Sequence, residues 1–408
     1  MPRLLLTVRG PDHPGVTASL FTHLQRHEAV LVDVEQVVVR GALLLGIRVD
    51  VPGADGTVPQ DLCDGLHTAA AGLGVDLEVV LAPPDGVDPT GGARQHVTLL
   101  APAVDAGAFA AVAEALASCS VNIERIEMLA SEPVTAYELT ISGGDVTELR
   151  EKLATVAADS GVDLAVQPAG LVRRGKRLVV FDVDSTLVQG EVVDELAALA
   201  GVGDQVATVT AAAMRGELEF AASLRARVAL LEGLPVGALQ EVRDRMQLTP
   251  GASTLLRTLR RMGYSLGVVS GGFTQIVEPL AADLKLDFAA ANVLEIADGQ
   301  LTGRLVGPIV DRAGKADALR RFAAEASVPL PQTVAVGDGA NDLDMLGAAG
   351  LGIAYNAKPM VRDAAHTAVN VPYLDTILYL LGISREEIED ADAEAGVVTP
   401  EPPLDVPG

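Results

Sequence analysis

Tryptophan is absent from this chain and only 3% of its residues are aromatic. Any core must therefore be aliphatic. With 49% apolar residues the composition is that of folded domains, and a disordered chain is excluded. Cysteine is equally scarce. Cys63 and Cys119 stand alone, with no CxxC pair or Cys/His cluster, which excludes a disulfide framework and a thiolate zinc site. Both read as buried apolar thiols. Basic residues are in deficit, 30 Lys and Arg against 55 Asp and Glu, for a net charge of −25. Such a surface repels nucleic acid and anionic lipid, so neither is expected as a partner. An anionic substrate would then need a locally positive pocket. No apolar run approaches the ~18–20 residues of a membrane span. The opening MPRLLLTVRGPDHPG holds too short an apolar run for a signal peptide. A cytoplasmic protein is expected.

What is present falls into three blocks and a tail. Residues 1–83 alternate as strand (Leu4 to Val8), helix (Val16 to His27), two strands (Ala29 to Arg40, Ala42 to Val51), helix (Leu62 to Leu73) and strand (Val75 to Leu81). That order is the ferredoxin-like βαββαβ unit. Residues 84–94 are a Pro/Gly linker. Residues 95–170 repeat the same order. The third block, 171–383, begins after a basic patch, Arg173-Arg174-Gly175-Lys176-Arg177. Its apolar run Leu178 to Phe181 reads as a central parallel strand. Helical segments fill 191–262, and short apolar strands then alternate with helices, the pattern of a doubly wound α/β sheet. Asp298-Gly299 marks a β-hairpin. Residues 384–408 are acidic and then Pro-rich, and are expected to form an unstructured tail.

The chemistry concentrates in the third block. The strand ending at Phe181 runs into Asp182-Val183-Asp184. Positions i and i+2 of an extended chain point the same way, so both carboxylates converge at the strand's C-terminal end, where α/β sheets bind ligands. After a second apolar strand comes Ser270-Gly271-Gly272, whose small residues let backbone N–H groups approach an anion. Lys315 opens a helix. A third strand ends in Gly337-Asp338-Gly339-Ala340-Asn341-Asp342. Each element alone reads as readily as a plain turn or a surface charge; together, in this order, they point to one site.

These motifs resemble the haloacid dehalogenase superfamily over residues 175–383. The resemblance implies a Rossmann-like hydrolase core with Asp182 as the nucleophile of an aspartyl-phosphate and Asp184 as general acid and then base. It also implies Mg²⁺ held by Asp182, Asp338 and the backbone carbonyl of Asp184, with Asp342 supporting from behind. Ser270, Gly271, Gly272 and Lys315 would neutralise the phosphoryl oxygens. An insert of about 80 residues between the first two motifs would be a helical cap, roughly 190–262.

An amino-acid phosphate needs an anion for its ammonium and a cation for its carboxylate, and Glu191 and Arg227 could supply them. On spacing alone both read equally as exposed helix charges, and Arg225 competes with Arg227. The run Asp182 to Val188 with Glu191, Glu219-Phe220, Arg227 and Ser270 to Phe273 resembles the phosphoserine phosphatase family. That resemblance implies Glu191, Arg227 and Phe220 as substrate residues, with Asn341 contacting phosphate or substrate, and phosphoserine as substrate. Two readings stay open beside it: another small phosphomonoester such as phosphohomoserine, and a non-enzymatic amino-acid sensor. In the N-terminal block Gly10 to Val16 resembles the amino-acid-sensing ACT domain, and the second block a divergent one. The resemblance implies a homodimer and L-serine as effector near the turn glycines Gly15 and Gly107. The alternative is that both are ordinary turn glycines and the domains only dimerise. His13 reads as a turn residue.

Overall fold

The computed structural model describes residues 2–52, 58–82, 94–215 and 217–400. It divides into two units, 1–89 and 90–408. The linker expected at 84–94 lies, but for Arg94, outside the described residues.

The first unit contains β1 (Arg3–Pro11), α1 (Val16–Arg26), β2 (Val30–Val39), β3 (Ala42–Asp50), α2 (Gln60–Leu73) and β4 (Asp76–Leu81). Its antiparallel sheet has the order β2-β3-β1-β4. Leu4, Leu6 and Val8 alternate into a core with Leu43, Leu45 and Ile47, and the helices cover it with Leu20, Leu24, Leu62 and Leu66. β2 is an edge strand exposed along its whole length. It leaves Val30, Leu31, Val32, Val34, Val37, Val38 and Val39 in solvent. Cys63 is only partly buried, a correction to the sequence reading, whereas Cys119 is buried.

The second unit begins with β5 (Gln95–Ala101), α3 (Ala106–Ser118), β6 (Asn122–Ala130), β7 (Thr135–Ser142), α4 (Val146–Ser160) and β8 (Asp163–Pro168), in the sheet order β6-β7-β5-β8. One sheet face takes α3 and α4. Leu100, Ala136 and Ala165 on the other face share a core with the block that follows. A short α5 (Leu171–Arg174) leads into that block. Arg173, on α5, donates to Glu138 of β7 and to the Leu380 carbonyl, and Gln167 Nε2 donates to the same carbonyl at 2.7 Å.

β9 (Leu178–Phe181) is the centre of a seven-stranded sheet. Next come α6 (Val192–Leu199), α7 (Gly203–Met214), α8 (Phe220–Ala229), α9 (Gly237–Arg245), α10 (Ala252–Arg261), β10 (Ser265–Phe273), α11 (Thr274–Asp283) and the hairpin β11 (Phe288–Ala297) and β12 (Gln300–Val306). The chain continues through α12 (Arg312–Glu325), β13 (Thr333–Gly337), α13 (Leu343–Ala348), β14 (Leu351–Tyr355), α14 (Pro359–Ala364), β15 (Thr367–Val369), α15 (Ile377–Leu380) and α16 (Arg385–Glu394). The sheet order is β12-β11-β10-β9-β13-β14-β15, all parallel except the β11–β12 pair. β9 is apolar throughout because both its faces are covered. Val179 and Phe181 face one core and Leu178 and Val180 the other.

The cap is α6 to α9, around Leu196, Leu224, Val228 and Leu231. Its two connections to the core pair with each other, Val188 opposite Leu248. The cap therefore ends near 248 and not near 262. The reason lies in α10, whose Leu255, Leu256 and Leu259 pack into the central core. The hairpin joins the cap: Leu294 and Leu301 enter the cap core, and Gly233 N donates to Leu301 O while Val236 N donates to Gly299 O, both at 2.9 Å. Gly303, at φ 73°, lies so close that an added Cβ would sit 3.1 Å from Glu232 and 3.2 Å from the Ala229 carbonyl.

The acidic tail also differs from expectation. Residues 385–394 form α16, started by a capping box between Ser384 and Glu387. Its fully buried Asp392 accepts from Arg257 Nε at 2.8 Å, from Arg261 and from Thr399. Burial alone would raise the Asp392 carboxyl; these donors override it and hold it well below the usual carboxylate range. Its contribution is complete above a carboxylate's ordinary pKa of about 4 and fades as pH falls below that. Asp392→Ala leaves two arginines without their anion, and urea unfolding at pH 7 is expected to show a loss of about 2–4 kcal/mol. The loss is expected to shrink toward pH 3.

Candidate active site

The C-terminal ends of β9, β10 and β13 lie side by side, and each delivers one group. β9 ends at Asp182, which is 4% exposed; its Oδ1 accepts from Val183 N at 2.8 Å. Lys315, in the first turn of α12 and 0% exposed, places Nζ 2.6 Å from Asp182 Oδ1 and 2.6 Å from Asp342 Oδ1. Asp342 also accepts from Gly339 N at 2.9 Å. The approach of Asp342 to β13 requires glycine at 337, where a Cβ would meet Asp342 Cγ at 2.5 Å.

Asp184 is oriented from two sides. Val192 N, in the first turn of the cap, donates to its Oδ1 at 2.8 Å, and Ser270 Oγ donates to its Oδ2 at 3.0 Å. Ser270 Oγ in turn accepts from Gly272 N at 2.7 Å. Asp338 accepts from Thr186 Oγ1 at 2.8 Å, and the Thr186 carbonyl is held by Thr249 Oγ1 at 2.7 Å.

Negative charge outweighs positive here. Burial, then the Asp342 charge, pushes Asp182 well above the carboxylate range although Lys315 pulls it down. Burial pushes Asp338 up to about 6. Asp184 is raised by burial against the bonds from Val192 and Ser270. Carboxylate oxygens of Asp182, Asp338 and Asp342 lie within 4.8 Å of one another. Asp342 is engaged at both oxygens, by Lys315 and by Gly339 N, whereas the bonds to Asp182 from Lys315 and Val183 and to Asp338 from Thr186 fall on Oδ1. Hard oxygen donors with uncompensated charge fit a divalent cation such as Mg²⁺.

The cap closes one side. Phe220 packs on the β10 turn, its Cζ 3.3 Å from where a Gly271 Cβ would lie. Glu191, at the rim, accepts from Ser185 Oγ at 3.2 Å, and the desolvation of its carboxyl, then the charges of Asp184 and Asp338, push it up to about 7. Arg227 is half-buried while Arg225 is exposed. Burial lowers Arg227, and the charges of Glu191, Asp194 and Asp184 oppose that. Its Nε has no partner. Asn341 lies beside Gly339, where a Cβ would meet its Oδ1 at 2.1 Å.

Gly15, at φ 101°, precedes α1 of the first unit. Gly107 is in the first turn of α3, beside a cavity of about 350 Å³ lined by Val104, Asp105, Phe109, Ile126 and Tyr137. His13 is bonded to backbone carbonyls of Leu73 and Pro14.

The sequence reading missed Asn292. This residue of β11 is 1% exposed. Its Nδ2 donates to the Gly271 carbonyl at 2.8 Å and the Gly272 carbonyl at 3.3 Å. Its Oδ1 accepts from Val310 N at 2.8 Å, just before the helix of Lys315. One amide thus fixes the turn of Ser270 and the approach of Lys315. A lone Asn in an apolar strand carries no sequence signal. Thr186, inside the run Asp182 to Val188, and Thr249 were given no role, because their bonds to Asp338 and to the Thr186 carbonyl join residues far apart in sequence.

A parallel sheet with these motifs at adjoining strand ends, under a helical cap, defines a haloacid dehalogenase-like hydrolase. The family model for haloacid dehalogenase-like hydrolases matches residues 179–347, and two ACT-domain models match 2–80 and 94–167. The chain is 57% identical to the phosphoserine phosphatase of Streptomyces coelicolor over 97% of this chain and 96% of that one. It is 54% identical to that of Mycobacterium tuberculosis over 98% of both. Among solved structures, a HAD-family hydrolase from Salmonella enterica superposes with a TM-score of 0.62 at 31% identity, covering 70% of this chain and 98% of that one. A probable phosphoserine phosphatase from Vibrio cholerae gives 0.56 at 35% identity over 73% and 88%. The chain belongs to the phosphoserine phosphatase family of haloacid dehalogenase-like hydrolases, with two N-terminal ACT domains.

Replacing Asn292 by Ala frees both turn carbonyls and strands Val310 N. Turnover of a simple aryl phosphate is expected to fall roughly 10-fold or more with an unchanged circular dichroism spectrum.

Proposed function

We propose that this chain hydrolyses O-phospho-L-serine to L-serine and phosphate, the last step of serine biosynthesis, through an aspartyl-phosphate on Asp182. The observation that carries the substrate reading is Arg227. It is a half-buried cap guanidinium with an unpartnered Nε, electrostatically coupled to Glu191 and Asp184. It suits a carboxylate, and Glu191 an ammonium. Phosphoserine carries both beside its phosphate.

Asp182 attacks phosphorus as the bond to the serine oxygen breaks, and Asp184 gives its proton to that oxygen. The raised affinity of Asp184 for a proton suits this role. Water then attacks the aspartyl-phosphate, returns a proton to Asp184, and phosphate leaves. Lys315, Ser270 and the Gly271 amide offset charge on the phosphoryl oxygens. The carboxylates of Asp182 and Asp338, with the backbone carbonyl of Asp184, would hold Mg²⁺, which supplies further positive charge at that group. Phe220 and the cap exclude bulk water, and Asn341 borders the phosphate. Phosphate release from phosphoserine is expected to need Mg²⁺ and to vanish in Asp182→Asn. Arg227→Ala is expected to raise KM for phosphoserine at least 10-fold while sparing an aryl phosphate. Phosphoserine turnover untouched by Arg227→Ala contradicts the substrate reading.

The same reading makes the chain a homodimer with L-serine as effector at its ACT domains, near Gly15 and Gly107. The exposed aliphatic edge β2 supports self-association, because an uncovered edge of this kind recruits another chain. Val37→Glu with Val39→Glu is expected to convert a dimer to a monomer in sedimentation. Serine titrated into the whole protein is expected to give binding heat.

A further inference from the structure

The hydroxyl of Ser223 has no structural explanation. Ser223 lies inside α8, 1% exposed, and its Oγ has no hydrogen-bond partner among the described residues. Its backbone N–H follows the helix, donating to Glu219 O at 2.9 Å. Serine is a poorer helix former than alanine, and a buried hydroxyl without a partner is destabilising. Packing alone would therefore favour alanine here.

The position gives the reason. Ser223 is three residues after Phe220 and four before Arg227, so the three side chains share one helix face. Phe220 packs on Gly271 of the phosphate-binding turn. Arg227 feels the charges of Glu191 and Asp184. Leu224 and Val228, one step round the helix, enter the cap core, against which the Phe220 ring also packs. Two unpartnered buried polar atoms, Ser223 Oγ and Arg227 Nε, thus stand one helical turn apart on the face that looks at the site.

We propose that Ser223 is a further substrate-binding residue whose hydroxyl donates to the substrate carboxylate held by Arg227. This rests on the reading of Arg227 given above. One carboxylate oxygen takes the guanidinium and the other takes the hydroxyl, which fixes the amino-acid end of the substrate relative to Asp182.

The test compares wild type and Ser223→Ala on O-phospho-L-serine and on O-phosphoethanolamine, which keeps the phosphate and ammonium but lacks the carboxylate. Ser223→Ala is expected to raise KM for phosphoserine about 10-fold, the scale of a hydrogen bond to a charged group, with kcat within about twofold. KM for phosphoethanolamine is expected to stay unchanged and the melting temperature to stay equal or rise. An unchanged phosphoserine KM, or an equal change for both substrates, overturns the proposal, since a purely structural hydroxyl would move both alike. Wild type that does not prefer phosphoserine overturns the Arg227 reading and this inference with it. Wild type that does prefer it, beside an unaffected Ser223→Ala, overturns the inference alone.

Discussion

Lys315 sits between Asp182 and Asp342 with no solvent contact, and the site is arranged around that bridge. A buried ammonium is tolerated only where anions and hydrogen bonds replace its hydration. Two carboxylate oxygens at 2.6 Å do so. The bridge sets the local sequence on both sides. Asp311 caps α12, its side chain accepting from Gly314 N, so that Lys315 leaves the first turn at the right point. Gly337 has no side chain because Asp342 must reach across β13. One lysine does not balance Asp182, Asp184, Asp338 and Asp342. Burial first, and then the Asp342 charge, raises Asp182 and Asp338, and the excess of carboxylates makes the strand ends receptive to a cation.

Around that fixed centre the molecule places parts of differing independence. The cap is tied to the hairpin β11–β12 through backbone hydrogen bonds and a shared core, so hairpin and helices form one lid element. That lid carries Phe220, Ser223 and Arg227, while Asn292, on the same β11, holds the turn of Ser270 beneath it. The second ACT domain is continuous with the catalytic block. It shares its core, its edge strand β8 is held to β15 by Asn370 on Asp163, and Arg173 and Gln167 converge on the Leu380 carbonyl. The first ACT domain keeps a separate core and leaves its β2 edge exposed.

Much of this was legible because the signals were local. An apolar strand ending in acid is written in consecutive residues, and so are the turn glycines and the two βαββαβ orders. Pairings distant in sequence were not legible. The leucines of α10 have the same periodicity whether they face the cap or the central sheet, so the cap's end was misplaced. The acidic segment 385–394 looked unstructured because its anchor, Asp392, depends on Arg257 and Arg261 more than a hundred residues earlier. Asn292 carries no motif at all; its importance is the coincidence in space of two carbonyls and one amide. Spacing left Arg225 and Arg227 open and only the family resemblance favoured Arg227; the helix phase exposes Arg225 and half-buries Arg227.

The central claim is covalent: phosphate passes through Asp182. The direct measurement is rapid acid quenching during turnover of radiolabelled phosphoserine, followed by borohydride trapping and peptide mass spectrometry. The account predicts an acyl-phosphate formed at a rate equal to or above turnover, on the peptide containing Asp182 and on that residue. Steady phosphate release with no labelled protein, or with label on another residue, would contradict it.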